Sequence, residues 1–125
     1  MTKKKEILIG VQTGRESADG AIRAWKRAEA GLPPEEPVNQ LHFADMATLL
    51  KYLSPRRFEL LQKLKEIGPV NIRQLAQNLK RDYKNVHTDV TELTQIGLIE
   101  ETKDRRFLVP WDEILAKLPL FAKAT

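Results

Sequence analysis

The stretch from Ile72 to Ile96, IRQLAQNLKRDYKNVHTDVTELTQI, most restricts what this chain can fold into. Ile72, Leu75, Ala76 and Leu79 recur at steps of three and four, the spacing of one helix face. Val86, Val90, Leu93 and Ile96 repeat the pattern, with only Lys80, Arg81 and Asp82 between the two sets. Start and stop signals agree with two helices. Asn71 and Gln74 have capping-box spacing, Asp82 suits an N-cap, and Gly97 suits the position just past a helix end. The chain here must form two short helices joined by a tight turn.

The flanks extend the order. Ser54-Pro55 reads as an N-cap followed by proline at the first helical position. Phe58, Leu61, Leu64 and Ile67 then make a stripe that Gly68 ends. After Gly97, LIEETKDRRFLVP reads as strand, charged turn, strand, and WDEILAKL (111–118) as a last short helix. Helix, link, helix, tight turn, helix and hairpin is the order of a winged helix-turn-helix. Upstream, EILIGVQ (6–12) predicts a strand. Ser17 to Ala30 predicts a helix whose apolar stripe is Ala18, Ala21, Ile22, Trp25, Ala28 and Leu32. Gly31 and the LPPEEP run mark a linker, VNQLHF (38–43) a second strand and ADMATLLKYL (44–53) a short helix. The expected class is mainly α with a small β component: an N-terminal strand-helix extension over residues 1–40, for dimerisation or partner binding, and a winged helix-turn-helix domain over 41–125.

With Val86, Val90 and Leu93 inward, the second helix of the pair presents Lys84, Asn85, His87, Thr88 and Thr91 outward. These types match base edges. Asparagine pairs with adenine, lysine reaches guanine or phosphate, and a threonine methyl meets the thymine methyl. Lys80, Arg81 and Tyr83 fall at the helix start, where phosphates are met. Arg56 and Arg57 open the preceding helix, and Lys103, Arg105 and Arg106 form the hairpin tip. All are expected phosphate or groove contacts. The net charge of +4 and pI of about 9.4 agree with an anionic partner. Residues 54–125 carry 13 basic and 10 acidic side chains, against 8 and 7 in residues 1–53, so the excess sits mostly in the half that holds the helix pair.

LSPRRFELLQKL, IRQLAQNLKRDYKNVHTDVTELTQIGLIE and the closing VPWDEI together resemble predicted winged-helix transcriptional regulators of bacteria and archaea, related to the MarR type. The resemblance covers roughly Phe43 to Leu115, and RDYKNVHTDV is its most specific piece. It implies a dimeric, site-specific binder of double-stranded DNA, a repressor at its own or another promoter. Similar members stand beside toxin genes, so it also implies an autoregulating antitoxin with a cognate toxin as partner.

Other functions find little footing. There is no cysteine, hence no thiol nucleophile, disulfide or thiolate metal site. Of the two serines, Ser54 is explained as a cap. IGVQTG lacks the Gly-Lys-Ser/Thr ending of a phosphate loop. Two histidines without cysteine argue against a metal centre, so no enzyme activity, metal or cofactor is expected. No apolar run approaches the roughly 18 residues of a membrane span, and a cytoplasmic location is expected. The runner-up is a winged-helix protein-interaction module without sequence-specific DNA binding.

Overall fold

A computed structural model describes residues 4–12, 14–33 and 38–120, with backbone alone for 14–17. The elements run β1 (Glu6–Val11), α1 (Gly14–Glu29), β2 (Gln40–Phe43), α2 (Met46–Tyr52), α3 (Pro55–Ile67), α4 (Ile72–Leu79), α5 (Tyr83–Gln95), β3 (Glu100–Glu101), β4 (Phe107–Leu108) and β5 (Glu113–Lys117). The class is mixed α/β. The chain forms two compact units: Met1–Leu50 with Glu113–Thr125, and Lys51–Asp112. Most of the expected LPPEEP linker, residues 34–37, and Phe121 lie outside the described residues. Among those described, no helix is long and apolar enough to cross a membrane.

The first unit is built on a parallel sheet of order β2-β1-β5. Ile7, Leu8 and Ile9 are all buried, so β1 shows no alternation. That is the pattern of a central strand covered on both faces. Leu8 to Val11 pair with Gln40 to Phe43, and Glu6 to Gly10 with Glu113 to Lys117.

The last pairing corrects two expectations. WDEILAKL is not a helix: Glu113–Lys117 is a strand alongside β1. Helix propensity in so short a segment is a weak force, and a five-residue ladder with the central strand outweighs it. The same strand changes the division of the chain. It returns to the N-terminal unit, so the units part after residue 50 and again after 112, rather than once after residue 40.

The crossover helix α1 carries its expected apolar stripe, yet that stripe is open. Trp25 is 67% exposed, Ile22 54% and Leu32 50%.

The second unit packs α3, α4 and α5 around one core. Leu60, Leu61 and Leu64 of α3, Leu75 and Ala76 of α4, and Val86, Val90 and Leu93 of α5 are buried, with Leu98 and Ile99 below them. Fully burying one such aliphatic side chain contributes about 1.5–3 kcal/mol. The face of α3 differs from the expected stripe: Phe58 is exposed, and Leu60 and Arg57 take the inner positions. Leu61 and Leu64 keep their expected inward places, so the buried face is turned toward Leu60 and away from Phe58. The hairpin β3-β4 pairs Glu100 with Leu108 and Glu101 with Phe107. It is fastened by reciprocal backbone bonds between Val70 and Phe107 (2.8 and 3.1 Å), by Trp111 Nε1 donating to Gly97 O (3.0 Å), and by Lys65 Nζ on Asp112 (3.1 Å).

Two glycines are required by geometry. Gly97 lies at φ +88°, past the end of α5, with open space where a side chain would stand. Gly68 ends α3 where a Cβ would fall 2.7 Å from Leu64 O and 3.1 Å from Phe107 O. Gly97→Ala is therefore expected to lose roughly 1–2 kcal/mol through backbone strain alone. Gly68→Ala is expected to destabilise by a different route, pushing the hairpin from α3. Thermal denaturation and the amide exchange of Val70 and Phe107 separate the two: only the second variant should lose protection at that bridge.

Candidate nucleic-acid interface

The local chemistry of the turn between α4 and α5 sets the site. Asn71 Oδ1 accepts from Gln74 N (2.8 Å) while Gln74 Oε1 accepts from Asn71 N (3.1 Å), a complete capping box at the start of α4. The helix ends on Lys80, which adopts the left-handed conformation at φ 55°, ψ 44°. A left-handed residue here lets Lys80 N and Arg81 N close back on Gln77 O and Ala76 O (3.2 and 3.1 Å). Asp82 then accepts from Lys84 N (3.1 Å) and starts α5. Only Arg81 stands between the C-cap of α4 and the N-cap of α5, and its own N–H is bonded back to Ala76 O, so the entry of α5 is held on both sides.

On α5 the division of faces is complete. Val86, Val90 and Leu93 have no accessible surface, whereas Tyr83, Lys84, Asn85, His87, Thr88 and Thr91 are exposed. The Tyr83 and His87 rings lie 5.9 Å apart at 42°. Thr88 Oγ1 donates to Lys84 O (3.1 Å), which satisfies its proton. Lys80 and Arg56 are exposed beside this face. At the hairpin tip Lys103, Arg105 and Arg106 are exposed, and Arg105 is left-handed at φ 61°. The turn is locked by the Thr102 hydroxyl on Asp104 and by Arg106 N donating to Thr102 Oγ1 (3.1 Å). The Thr102 hydroxyl, and after it the backbone N–H of Asp104, hold the Asp104 carboxyl below the usual carboxylate range.

Arg57 does not join the exposed set, contrary to its expected role as a phosphate contact. Its side chain is only 10% exposed. Nε donates to Asp89 Oδ1 (3.1 Å), Nη2 to Glu92 Oε1 (3.0 Å), and the guanidinium sits 5.9 Å from the Tyr52 ring centroid. Burial disfavours its charge, but its hydrogen bonds to Glu92 and Asp89 prevail and hold its pKa above the ordinary arginine value. Arg81 is partly withdrawn as well. Its Nη2 donates to Asp89 Oδ2 at 2.8 Å, its side chain is 18% exposed, and its Nη1 is buried without a partner. Asp89 and Glu92, absent from the expected outer set, are thus the carboxylates that draw Arg57 and Arg81 in. Their signal in the sequence was two carboxylates three apart, flanking Val90 and Leu93 on an otherwise basic helix pair. Ser54, Arg56, Arg81, Asn85, Thr88 and Asp89 line an open cleft of about 320 Å³ between the start of α3 and the outer face of α5.

The chain belongs to the HVO_A0114 family, whose model matches residues 52–116, more than half of its length. No curated protein and no solved structure matches it.

The Arg57 cluster yields a test of stability. Arg57→Ala leaves Asp89 and Glu92 facing each other beside the core without their shared counterion. Breaking such a buried arrangement costs about 3 kcal/mol, the lower end of the usual range because Glu92 is a third exposed. Arg56→Ala, one residue away and exposed, is expected to leave denaturant stability within about 0.5 kcal/mol. Urea unfolding of both variants checks the contrast.

Proposed function

We propose that residues 51–112 form a winged helix-turn-helix that reads duplex DNA, with α5 as its recognition helix and the β3-β4 hairpin as its wing. The observation that carries the reading is the face of α5. Lys84, Asn85, His87, Thr88 and Thr91 stand exposed together, opposite a fully buried aliphatic stripe. A helix buried on one side and furnished with base-reading side chains on the other fits a major groove. Exposed Arg56, Lys80, Lys103, Arg105 and Arg106 border that face, where the phosphate backbone would run. Arg57 has a different part in this reading: through Asp89 and Glu92 it sets how α5 is presented.

The protein would act as a cytoplasmic, non-catalytic transcriptional repressor without cofactor. By its resemblance to antitoxin-type regulators, it would control its own promoter and bind a cognate toxin. The open stripe of α1 supports a homodimer, since helix-turn-helix readers address two half-sites with two-fold symmetry. The same stripe favours the second reading, a protein-interaction module, if its occupant is a different chain.

Two measurements decide between them. Selection from random duplexes is expected to return a half-site repeated with two-fold symmetry. Asn85→Ala and Thr88→Ala should fold normally yet lose roughly 1–3 kcal/mol of discrimination at defined positions. Unchanged preference and affinity in both variants would reject the recognition-helix assignment. For assembly, Trp25→Glu places a charge in the exposed stripe and is expected to convert a dimer to a monomer in light scattering. A parent that is monomeric both free and on DNA contradicts the dimer.

A further inference from the structure

We infer that the cleft between α3 and α5 is a seat for one phosphodiester of the DNA backbone, an inference that rests on the reading of α5 given above. Its lining carries the charge of a singly anionic guest. Arg56 and Arg81 contribute two positive charges and Asp89 one negative, a balance of +1. Behind them Arg57 and Glu92 cancel. A phosphodiester carries one negative charge at neutral pH, whereas a terminal phosphate carries closer to two.

Asp89 does not bar an anion, because both its oxygens are already occupied. Oδ1 accepts from Arg57 Nε and Oδ2 from Arg81 Nη2. Its effect is to hold the Arg81 guanidinium at the cleft wall. Arg81 Nη1 is buried with no acceptor, a state that protein structures rarely leave unrelieved. A phosphate oxygen supplies the missing acceptor after a small rotation of the guanidinium. Arg56 stands across the cleft in the first turn of α3, exposed and without an ion pair among the described residues. A guanidinium there adds to the preference of a helix start for anions. Asn85 and Thr88 form the rim shared by the cleft and the outer face of α5. A phosphate seated between Arg56 and Arg81 therefore brings the neighbouring base edges to the residues suited to read them. The cleft fixes the register that the base contacts need.

The test uses the full chain and a duplex selected by it. Each backbone position is replaced in turn by an uncharged methylphosphonate, and affinity is measured for the parent and for Arg56→Ala. Several positions per half-site are expected to weaken the parent, one of them the phosphate seated in the cleft. At the cleft's position the replacement should cost Arg56→Ala clearly less than it costs the parent, because only the Arg81 half of the contact is left. The slope of log K against log salt should become shallower in the variant by about 0.9 per subunit, with base preference unchanged. Arg81→Lys should lose sensitivity at the same position. If Arg56→Ala keeps the parent's salt slope and full methylphosphonate sensitivity, the seat is wrong while sequence-selective binding by α5 stands. If inorganic phosphate shifts the Asn85 amide signals but no backbone position is sensitive, the cleft holds free anions and the inference fails. A parent that selects no duplex at all overturns both this inference and the reading it rests on.

Discussion

The guanidinium of Arg57 is the contact on which the geometry of the helix trio depends. It lies on α3, yet its partners are Asp89 and Glu92 of α5, 32 and 35 residues on. Asp89 passes the connection to Arg81 in the turn between α4 and α5. One carboxylate thus ties three places that hydrophobic packing alone would leave free to slide. Aliphatic contacts between helices tolerate small shifts, because their energy follows area rather than direction. Charge-assisted hydrogen bonds do not, because distance and angle decide their strength. Burial makes the arrangement expensive to disturb, since removing one member leaves the others uncompensated in a low-dielectric setting.

The turn around Lys80 works by the same logic at shorter range. Asn71 and Gln74 cap the start of α4, the left-handed Lys80 closes its end, and Asp82 opens α5. A non-glycine residue in that conformation bears a cost that the two backbone bonds to Ala76 and Gln77 offset. The lysine keeps a cation beside the exposed face, which glycine would not. The exposed residues of α5 then stand as one surface because Val86, Val90 and Leu93 leave the helix no freedom to rotate about its axis.

The first unit has a different character. Ile7, Leu8 and Ile9 of its central strand are buried, while its crossover helix offers Ile22 and Trp25 to solvent. Exposed large side chains on one helix face mark a surface that association would cover. The proposed dimer and the proposed toxin contact both draw on this stripe.

Much of the fold was legible in the sequence, for a physical reason. The caps at Ser54, Asn71 and Asp82, the glycine after α5, and the inward set Val86, Val90 and Leu93 depend on neighbours within one or two turns, so spacing alone reveals them. The exposed chemistry of α5 followed directly, being whatever the inward set leaves outside. Tertiary structure decided what depends on distant partners. Arg57 reads locally as a surface cation at a helix start, and only the arrival of Asp89 and Glu92 turns it inward. The helix-like EILAK reads locally as another turn of helix, and only the open edge of β1, more than a hundred residues earlier, draws it into a strand. Periodicity and capping are properties of a segment; an ion pair or a sheet ladder belongs to two segments, and neither one carries it alone.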